Sequence, residues 1–198
     1  EFWKERIFRN NRELPWQNAM ELFRDSTGQP GPSTWRKGRY PDGQADYPVS
    51  GVSWYEATAY ADFVGKSLPA LAQWYLAAPS DIAKFIMAQS NFSAAVAPVG
   101  KYMAGNVAEW CPNEAGDHTR YLLGGAATTS TNEYFEPAAQ PPLDRSQTNG
   151  IRCVRNTAPL PSEALAERRQ TIRDFAKAIP APDPIYRIYS TIYDYTPH

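Results

Sequence analysis

The stretch Gly105-Asn106-Val107-Ala108-Glu109-Trp110-Cys111 decides the fold of this chain. Two shorter stretches follow it, Leu123-Gly124-Gly125-Ala126 and Gly150-Ile151-Arg152-Cys153-Val154-Arg155. Each combines glycine, which marks tight turns, with the apolar residues that are typical of short strands. The three stretches predict strands over residues 107–112, 119–124 and 150–155.

Helices are predicted before these strands. The stretch Ser53-Trp54-Tyr55-Glu56 matches a capping box, in which the serine hydroxyl and the glutamate each bond the other's backbone amide, and it predicts a helix to about Val64. The face expected to point inward carries Trp54, Ala57, Tyr60, Ala61 and Val64. A second short helix is expected after Leu68-Pro69, although Ala70 at its N-cap has no capping oxygen.

The C-terminal part of the chain is set apart by Pro159-Leu160-Pro161. Ser162 is expected to cap a helix from Glu163 to about Ile179. Beyond a second proline-rich break, alternating Ile, Tyr and polar residues over 185–195 predict a strand.

Composition limits the classes of function. The chain has 198 residues and a formal net charge of −1, with 20 Lys and Arg against 21 Asp and Glu. A basic stripe is missing, so nucleic-acid binding is not expected. No run approaches the roughly 20 apolar residues that span a bilayer. Six Trp, twelve Tyr, eighteen Pro and twelve Gly favour a loop-rich fold. The start lacks both Met and a signal-peptide pattern, as expected of a piece of a longer protein.

The two cysteines leave two alternatives open. Cys111 and Cys153 are either buried, reduced residues that act as small hydrophobes, or partners in a disulfide. A zinc site is not expected, because Cys-x-x-Cys is absent and the only histidines are His118 and His198.

Four separated motifs keep their order along the chain. They are Tyr47-Pro48-Val49-Ser50-Gly51-Val52-Ser53-Trp54-Tyr55-Glu56-Ala57, Gly65-Lys66-Ser67-Leu68-Pro69, Met103-Ala104-Gly105-Asn106-Val107-Ala108-Glu109-Trp110-Cys111 and Gly150-Ile151-Arg152-Cys153. Together they resemble the formylglycine-generating enzyme family, also called the sulfatase-modifying factor family. The resemblance implies an α+β, C-type-lectin-like fold, loop-rich, with short antiparallel strands and about two or three short helices. It implies a family domain over 1–157 whose N-terminal part would lie before Glu1, and a helix-and-strand appendage or linker over 158–198.

Three further stretches resemble the branch of this family that is fused to bacterial serine/threonine protein kinases. They are Asp25-Ser26-Thr27-Gly28-Gln29-Pro30-Gly31-Pro32, Cys111-Pro112-Asn113-Glu114-Ala115-Gly116 and Asp144-Arg145-Ser146-Gln147-Thr148-Asn149-Gly150. The resemblance implies a bacterial chain within a longer kinase-linked polypeptide. It leaves open whether the chain lies in the cytoplasm or on the extracytoplasmic side of a membrane-anchored parent.

The resemblance also implies a test of catalysis. Active members oxidise a substrate cysteine with oxygen and a copper ion held by two cysteines, shortly after a Gly-Gly-Ser motif. Here Thr129 and Tyr134 stand at about those positions. Neither side chain is a thiolate, the soft ligand that selects Cu(I), so copper-dependent catalysis is not expected and no catalytic residue is assigned.

A calcium site is the second feature that the resemblance implies. Its ligands would be Gly105 and Val107 through their carbonyls and Asn106 and Glu109 through their side chains. The upstream position, Tyr102, lacks the amide or carboxylate of the family. Calcium takes six to eight oxygens, so this set is depleted and calcium stays one possible cofactor.

The function predicted from these observations is a non-catalytic module that binds a protein or a small-molecule ligand. Its candidate surface is the loop 128–149, with Asn132, Tyr134, Phe135 and Asp144 as candidate ligand-binding residues. The alternatives are an oxygen-dependent oxidoreductase that makes formylglycine or a related modification, and a purely structural spacer.

Overall fold

The computed structural model describes residues 7–9, 12–78, 103–126, 128, 129, 134, 136–166, 182–184 and 187. In chain order, its elements are β1 (Phe8–Arg9), β2 (Arg12–Glu13), α1 (Trp16–Met20), α2 (Trp54–Phe63), α3 (Leu71–Ala77), β3 (Ala108–Glu114), β4 (Arg120–Leu123), β5 (Ala138–Gln140), β6 (Asn149–Gly150) and α4 (Ser162–Leu165). None of the helices in the described part of the chain has the length and apolar character that a membrane crossing requires.

The chain divides into two compact units, Glu1–Arg168 and Arg169–His198. All the named elements belong to the first unit. In the second, Asp183, Pro184 and Arg187 have helical backbone. The strand predicted over 185–195 is therefore wrong at Arg187, and the rest of that range lies outside the described residues. The proposed boundary between residues 157 and 158 stays a prediction.

The larger sheet of the first unit is mixed, with the strand order β5-β4-β3-β6. The strands β3, β4 and β5 pair antiparallel, whereas β6 runs parallel to β3 with Ala108 opposite Asn149. The expectation of antiparallel strands is thus wrong at this edge. The loop 141–148 brings the chain back beside β3 in the direction of β3 itself, and the Ala108 amide donates to the Thr148 carbonyl at 2.8 Å.

The strands β3 and β4 lose register around Pro112. Trp110 lies opposite Leu122, but Glu114 lies opposite Arg120, so extra residues of β3 bulge between the two pairs. Proline has no amide hydrogen for a ladder and is confined to such irregular positions. The Pro112 carbonyl turns to the side chain of Arg120 and accepts a hydrogen bond at 3.1 Å.

Helix α2 begins as predicted. The Ser53 hydroxyl accepts from the Glu56 amide at 3.1 Å, and the Glu56 carboxylate accepts from the Ser53 amide at 2.8 Å, so the capping box is confirmed. The expected inner face is wrong at Tyr60, which is 56% exposed. Tyr55 and Thr58, which lie outside the predicted stripe, are buried. The buried residues of α2 thus lie in its N-terminal part.

Helix α3 begins without a capping side chain of its own, as expected at Ala70. One side chain of the helix itself and one distant side chain serve its first amides instead. Gln73 accepts from the Ala70 amide at 3.0 Å, and the side-chain oxygen of Asn113 in β3 accepts from the Leu71 amide at 3.0 Å. A tertiary contact thus replaces a local cap.

Three tryptophans fill the interior, and each indole N–H finds an acceptor, as buried tryptophans require. Trp54 donates to the Cys111 carbonyl at 3.0 Å, and Trp110 donates to the Val52 carbonyl at 2.9 Å. Trp74 donates to the Glu109 carboxylate at 2.7 Å. These bonds join α2, α3 and the segment before α2 to β3.

The guanidinium of Arg145 is the most connected side chain of the described residues. It forms a two-pronged pair with Glu56 at 2.8 and 2.9 Å. It also donates to the carbonyls of Leu22, Arg24 and Gly31 at 2.6, 2.8 and 2.6 Å. The N-terminal segment, α2 and the loop before β6 are held at this point.

The loop 25–38 is organised by the carboxylate of Asp25. One oxygen accepts from the Thr27 amide and hydroxyl at 2.7 Å and from the Gln29 amide at 3.0 Å. The other accepts from the Gly38 amide at 2.7 Å. Burial opposes ionisation, but these hydrogen bonds outweigh it and lower the pKa of Asp25 to about 2.

Two expected elements near the C-terminus differ from the structure. Of the predicted strand 150–155, only Gly150 lies in β6, because Val154 pairs with Ser67 through two backbone hydrogen bonds of 2.8 and 2.9 Å. Pro161, not Ser162, occupies the N-cap of α4, and no side chain caps it. The predicted helix to Ile179 is broken at Ala166, which is extended; residues 167–181 lie outside the described part.

Replacing Arg145 with lysine should lower the free energy of unfolding by about 3 kcal/mol, because a single ammonium cannot reproduce five fork-shaped donations to mostly part-buried partners. Denaturant unfolding of both proteins measures the difference. The matched control is Arg39→Lys at an exposed position, for which we expect a change within about 0.5 kcal/mol. Equal effects at the two positions would contradict the role given to Arg145.

Asp25 should make stability depend on pH in the acid range. Its folded pKa of about 2 lies below the ordinary 3.8, so its stabilising contribution is present above the ordinary value and is lost as the pH falls toward about 2. The gap in unfolding free energy between the wild type and Asp25→Asn should therefore shrink as the pH falls from about 6 to about 2. Denaturant titrations along this series test it, and a constant gap would refute the assignment.

Candidate functional site

Two of the three glycine-containing stretches singled out in the sequence, those at Gly105 and Gly124, lie side by side. Asn106 forms a parallel bridge with Ala126, and the Gly105 amide donates to the Gly124 carbonyl at 2.8 Å. Gly124 has a φ of 89°, and a side chain there would meet the Met103 carbonyl oxygen and Trp74. Glycine is therefore required where β4 ends.

Thr129 and Tyr134 are brought together by Gly125. A Cβ atom on this glycine would lie 2.8 Å from Cδ1 of Tyr134 and 3.1 Å from Cγ2 of Thr129. Tyr134 is only 7% exposed, and its ring also lies against Gly105. The Thr129 hydroxyl accepts from the Ala126 amide at 2.9 Å. Thr129 and Tyr134 are therefore neighbours. The Thr129 hydroxyl closes the turn at Ala126, and the Tyr134 ring packs against Gly105 and Gly125.

A cavity of about 300 Å³ opens beside this turn. It is lined by Ala108, Leu122, Gly125, Ala126, Thr129, Glu136, Pro137, Ala138, Gln140, Thr148 and Asn149. Its rim is the strand β5, whose three residues are all exposed. The cavity thus combines an apolar floor from β3 and β4 with a carboxylate, amides and hydroxyls around it.

Asp144 supports this cavity from outside. Its carboxylate accepts from the Ser146 amide at 2.8 Å and from the side-chain amide of Asn149 at 2.8 Å. Asn149 is buried and lines the cavity. Of the other predicted ligand-binding residues, Asn132 and Phe135 lie outside the described residues, and Tyr134 is buried beneath the turn. That any of these four residues binds a ligand stays a prediction.

The carboxylate of Glu109 has partners on both oxygens. Arg152 donates to them at 2.7 and 2.8 Å, and the Trp74 indole adds a third hydrogen bond at 2.7 Å. Glu109 is 4% exposed. Burial raises the pKa of Glu109, and the charge and hydrogen bonds of Arg152 oppose that rise.

The Sulfatase-modifying factor enzyme 1-like domain matches residues 10–157 of this chain, three quarters of its length. The chain belongs to the sulfatase-modifying factor family. This match confirms the resemblance that the four ordered motifs indicated.

Curated relatives of this sulfatase-modifying factor domain carry the name of a kinase. The serine/threonine-protein kinase pkn1 of Chlamydia pneumoniae is 38% identical over 116 residues, covering 48% of this chain and 18% of that protein. The proteins of the same name from Chlamydia caviae and Chlamydia trachomatis are each 39% identical, over 87 and 90 residues, covering 35% of this chain and 14% of each protein. The chain therefore spans less than a fifth of these relatives. Their names confirm the likeness to kinase-linked members.

The copper chemistry of the sulfatase-modifying factor family does not fit the residues present. Thr129 and Tyr134 offer no sulfur. The cysteines stand elsewhere: Cys111 is buried beside Trp74, and Cys153 packs against the other part of the core. Both are free thiols, so the disulfide alternative is wrong. Burial raises the pKa of both cysteines, and Glu109 raises that of Cys111 further, which keeps both neutral.

The calcium site of the family fits poorly for a similar reason. A calcium ion needs Glu109 as a free anionic ligand, but its carboxylate already neutralises Arg152, whose charge repels a cation. Among the described residues, no group of three or more His, Cys, Asp and Glu side chains could hold a metal ion. Calcium binding through the carbonyls of Gly105 and Val107 stays a prediction.

The sequence did not single out the other residues of the cavity. Glu136, Gln140 and Asn149 all lie within the loop 128–149, but strand pairing brings Gln140 and Asn149 to one cavity, because β5 pairs with β4 and β6 pairs with β3. The role of Arg152 was also missed. Its position in Gly-Ile-Arg-Cys was visible, but its partner Glu109 lies 43 residues away.

Calcium should not stabilise this sulfatase-modifying factor domain through Glu109. With about 5 mM calcium chloride we expect a Tm within about 1 °C of that in magnesium chloride. An ion raises the free energy of unfolding, and with it the Tm, only when it binds the folded state. Differential scanning calorimetry measures both. A calcium-specific rise that Glu109→Gln removes would show that Glu109 is a ligand after all.

Proposed function

We propose that this chain is a non-catalytic, C-type-lectin-like member of the sulfatase-modifying factor family that binds a segment of a partner polypeptide. The observation that carries the proposal is the turn at Gly125. Thr129 and the buried Tyr134 stand at about the positions where the resemblance would place copper-binding cysteines, and a cavity opens beside them.

The shape of the cavity favours a polypeptide ligand. Its rim, β5, is an edge strand of the sheet in the described part of the chain, so an extended ligand can pair with the backbone on its outer side. An extended peptide adds to such an edge by main-chain hydrogen bonds, and an adjacent cavity then selects one of its side chains. The apolar floor suits an aliphatic side chain, and Gln140 and Asn149 at the wall offer amides for polar groups.

The curated relatives are named serine/threonine-protein kinases, and we propose that this module likewise forms part of a longer, kinase-linked polypeptide. There, a binding module would bring a partner to a kinase without doing chemistry itself. Sequencing the gene on both sides of the codons for residues 1 and 198 tests this point. The expected result is the reading frame of a protein kinase on one side.

Copper binding separates the proposed function from its oxidase alternative. In competition with a Cu(I)-selective chelator, the wild type should bind less than about 0.1 equivalent, because Thr129 and Tyr134 supply no thiolate. A double variant, Thr129→Cys with Tyr134→Cys, should bind about one equivalent. The matched serine double variant should bind none. Stoichiometric Cu(I) in the wild type would overturn the non-catalytic assignment.

Peptide binding tests the ligand class. Twelve-residue peptides selected on the wild-type chain from a random display library should bind through the cavity at Gly125. The variant Ala138→Trp fills that cavity and should weaken the selected peptides at least about tenfold. Ala158→Trp, at an exposed position that does not line this cavity, is the control and should bind as the wild type does. If no peptide is enriched, or if both variants behave alike, the peptide assignment fails.

A further inference from the structure

A second cavity, of about 280 Å³, lies between the loop that follows Asp25 and the segment before α2. Its lining includes three aromatic rings, those of Trp35, Tyr40 and Tyr47. None of the described residues that line it is charged. It shares no lining residue with the cavity at Gly125. Small-molecule sites begin at roughly 300 Å³, so this aromatic cavity suits a ligand of about one ring.

A tight turn at residues 36–39 places two of the rings beside each other. The amides of Arg36 and Arg39 each donate to the carbonyl of the other residue, at 2.9 and 3.1 Å. Trp35 and Tyr40 flank this turn, and their rings meet edge to face with centroids 6.0 Å apart. This arrangement is one that aromatic pairs favour. Tyr40 is still 49% exposed, so the ring pair is open to a ligand.

The turn keeps a strained backbone. Lys37 has a φ of 52°, in the left-handed region, which costs a residue with a side chain roughly 1–2 kcal/mol. Two hydrogen bonds compensate: the Thr27 hydroxyl accepts from the Lys37 amide at 2.8 Å, and the Asp25 carboxylate accepts from the Gly38 amide at 2.7 Å. Strain of this kind persists only where the surroundings fix it, and it concentrates at ligand sites. The ring pair is therefore in place before a ligand binds.

The polar groups around the rings are neutral. They are the indole N–H of Trp35, the hydroxyls of Tyr40 and Tyr47, and the side-chain amides of Gln44 and Gln147. None of these five groups has a hydrogen-bond partner among the residues that the structure describes. Hydroxyls and carboxamides both donate and accept. The aromatic cavity thus offers neutral partners of both kinds beside its rings.

The charges near the aromatic cavity do not favour an ion of either sign. Three exposed basic residues, Arg36, Lys37 and Arg39, stand in the sequence next to its lining residues, and two exposed acidic residues, Asp42 and Asp46, stand there as well. None of the five lines the cavity. A neutral ligand with an apolar face and several hydroxyl groups fits this environment best.

We infer that the aromatic cavity binds one pyranose ring of a neutral carbohydrate. The C–H face of such a ring packs on the side chains of Trp35 and Tyr40, which bury apolar area at little cost in entropy. Its neighbouring hydroxyls donate to and accept from the amides of Gln44 and Gln147. The site is independent of the cavity proposed for peptides.

A proline-rich peptide is the competing ligand, because it too packs on aromatic rings. Proline has no N–H, so a run of prolines presents carbonyls that only accept. Such a ligand would leave the acceptor oxygens of Gln44 and Gln147 unused. A sugar uses both the donors and the acceptors of these amides, which is why the polar groups favour it.

The probes for the test are the methyl glycosides of glucose, galactose, mannose and N-acetylglucosamine. In ¹H–¹⁵N spectra of the full chain, at least one of them should shift the indole N–H signal of Trp35 saturably, and more than the signals of the other tryptophans. The variant Trp35→Phe assigns that signal. Cyclohexylmethanol keeps the six-membered ring but lacks the ring hydroxyls, and it should bind at least about tenfold more weakly. Hexaproline and tetramethylammonium test the two other ligands that aromatic rings attract.

Two variants locate the binding. Tyr40→Ala removes one ring at an exposed position and should weaken the glycoside at least about fivefold. Its matched control is Tyr60→Ala, because Tyr60 is 56% exposed on α2 and does not line the cavity. Gln147→Leu keeps the size of the side chain but removes the amide, and it should weaken binding about fivefold. Ala138→Trp, at the cavity beside Gly125, should leave binding unchanged.

Four results would each overturn the carbohydrate proposal. They are no saturable shift with any of the four glycosides, tighter binding of hexaproline or tetramethylammonium at the Trp35 signal, equal losses in Tyr40→Ala and Tyr60→Ala, and full affinity in Gln147→Leu. Because these variants lie outside the cavity at Gly125, their outcome does not depend on whether a peptide binds there.

Discussion

The first unit of this chain depends on the ion pair between Arg145 and Glu56. All five N–H donors of the guanidinium are engaged, and the Glu56 carboxylate also serves the amide and hydroxyl of Ser53 at the start of α2. One carboxylate therefore caps the start of a helix and anchors a loop. Desolvation makes such a pair costly unless every donor is satisfied, and here the backbone carbonyls of the N-terminal segment satisfy the rest. The position of β6 beside β3 follows from this anchor.

The ion pair between Arg152 and Glu109 is a second charge pair whose carboxylate is satisfied by hydrogen bonds within the protein. Glu109 receives Arg152 and Trp74, so the carboxylate in the Gly-Asn-Val-x-Glu-Trp motif is neutralised from within the protein. The motif thus fixes the orientation of Trp74 and the course of the chain after β6. This frame holds Trp74 and β3 through hydrogen bonds that involve neither Thr129 nor Tyr134.

The parts of the fold that local chemistry dictates were predictable. The capping box at Ser53, the strands β3 and β4, and the turn at Gly124 follow from neighbouring residues, and all are confirmed. The failures involve distant partners. Ser67 draws Val154 out of its expected strand. Tyr60 fits the predicted apolar stripe of α2 but faces solvent, whereas Tyr55 and Thr58, outside that stripe, are buried.

The candidate site shows the same division. Its glycines and the missing thiolates were visible in the sequence, whereas the cavity was not. Gln140 and Asn149 meet there only because β5 pairs with β4 and β6 pairs with β3, and no short pattern encodes those pairings.

Asn113 gives this domain a mechanical property. Its one side chain holds the start of α3 through Leu71 and the end of α4 through Ala164 and Ala166. Ala166 follows α4 directly, so a pull on the chain at this residue loads those carbonyls. The tension would then pass through Asn113 into the central strand β3 and the first turn of α3. A force applied to the chain at the C-terminal end of α4 would thus be transmitted to the interior of the domain, and not only to its surface.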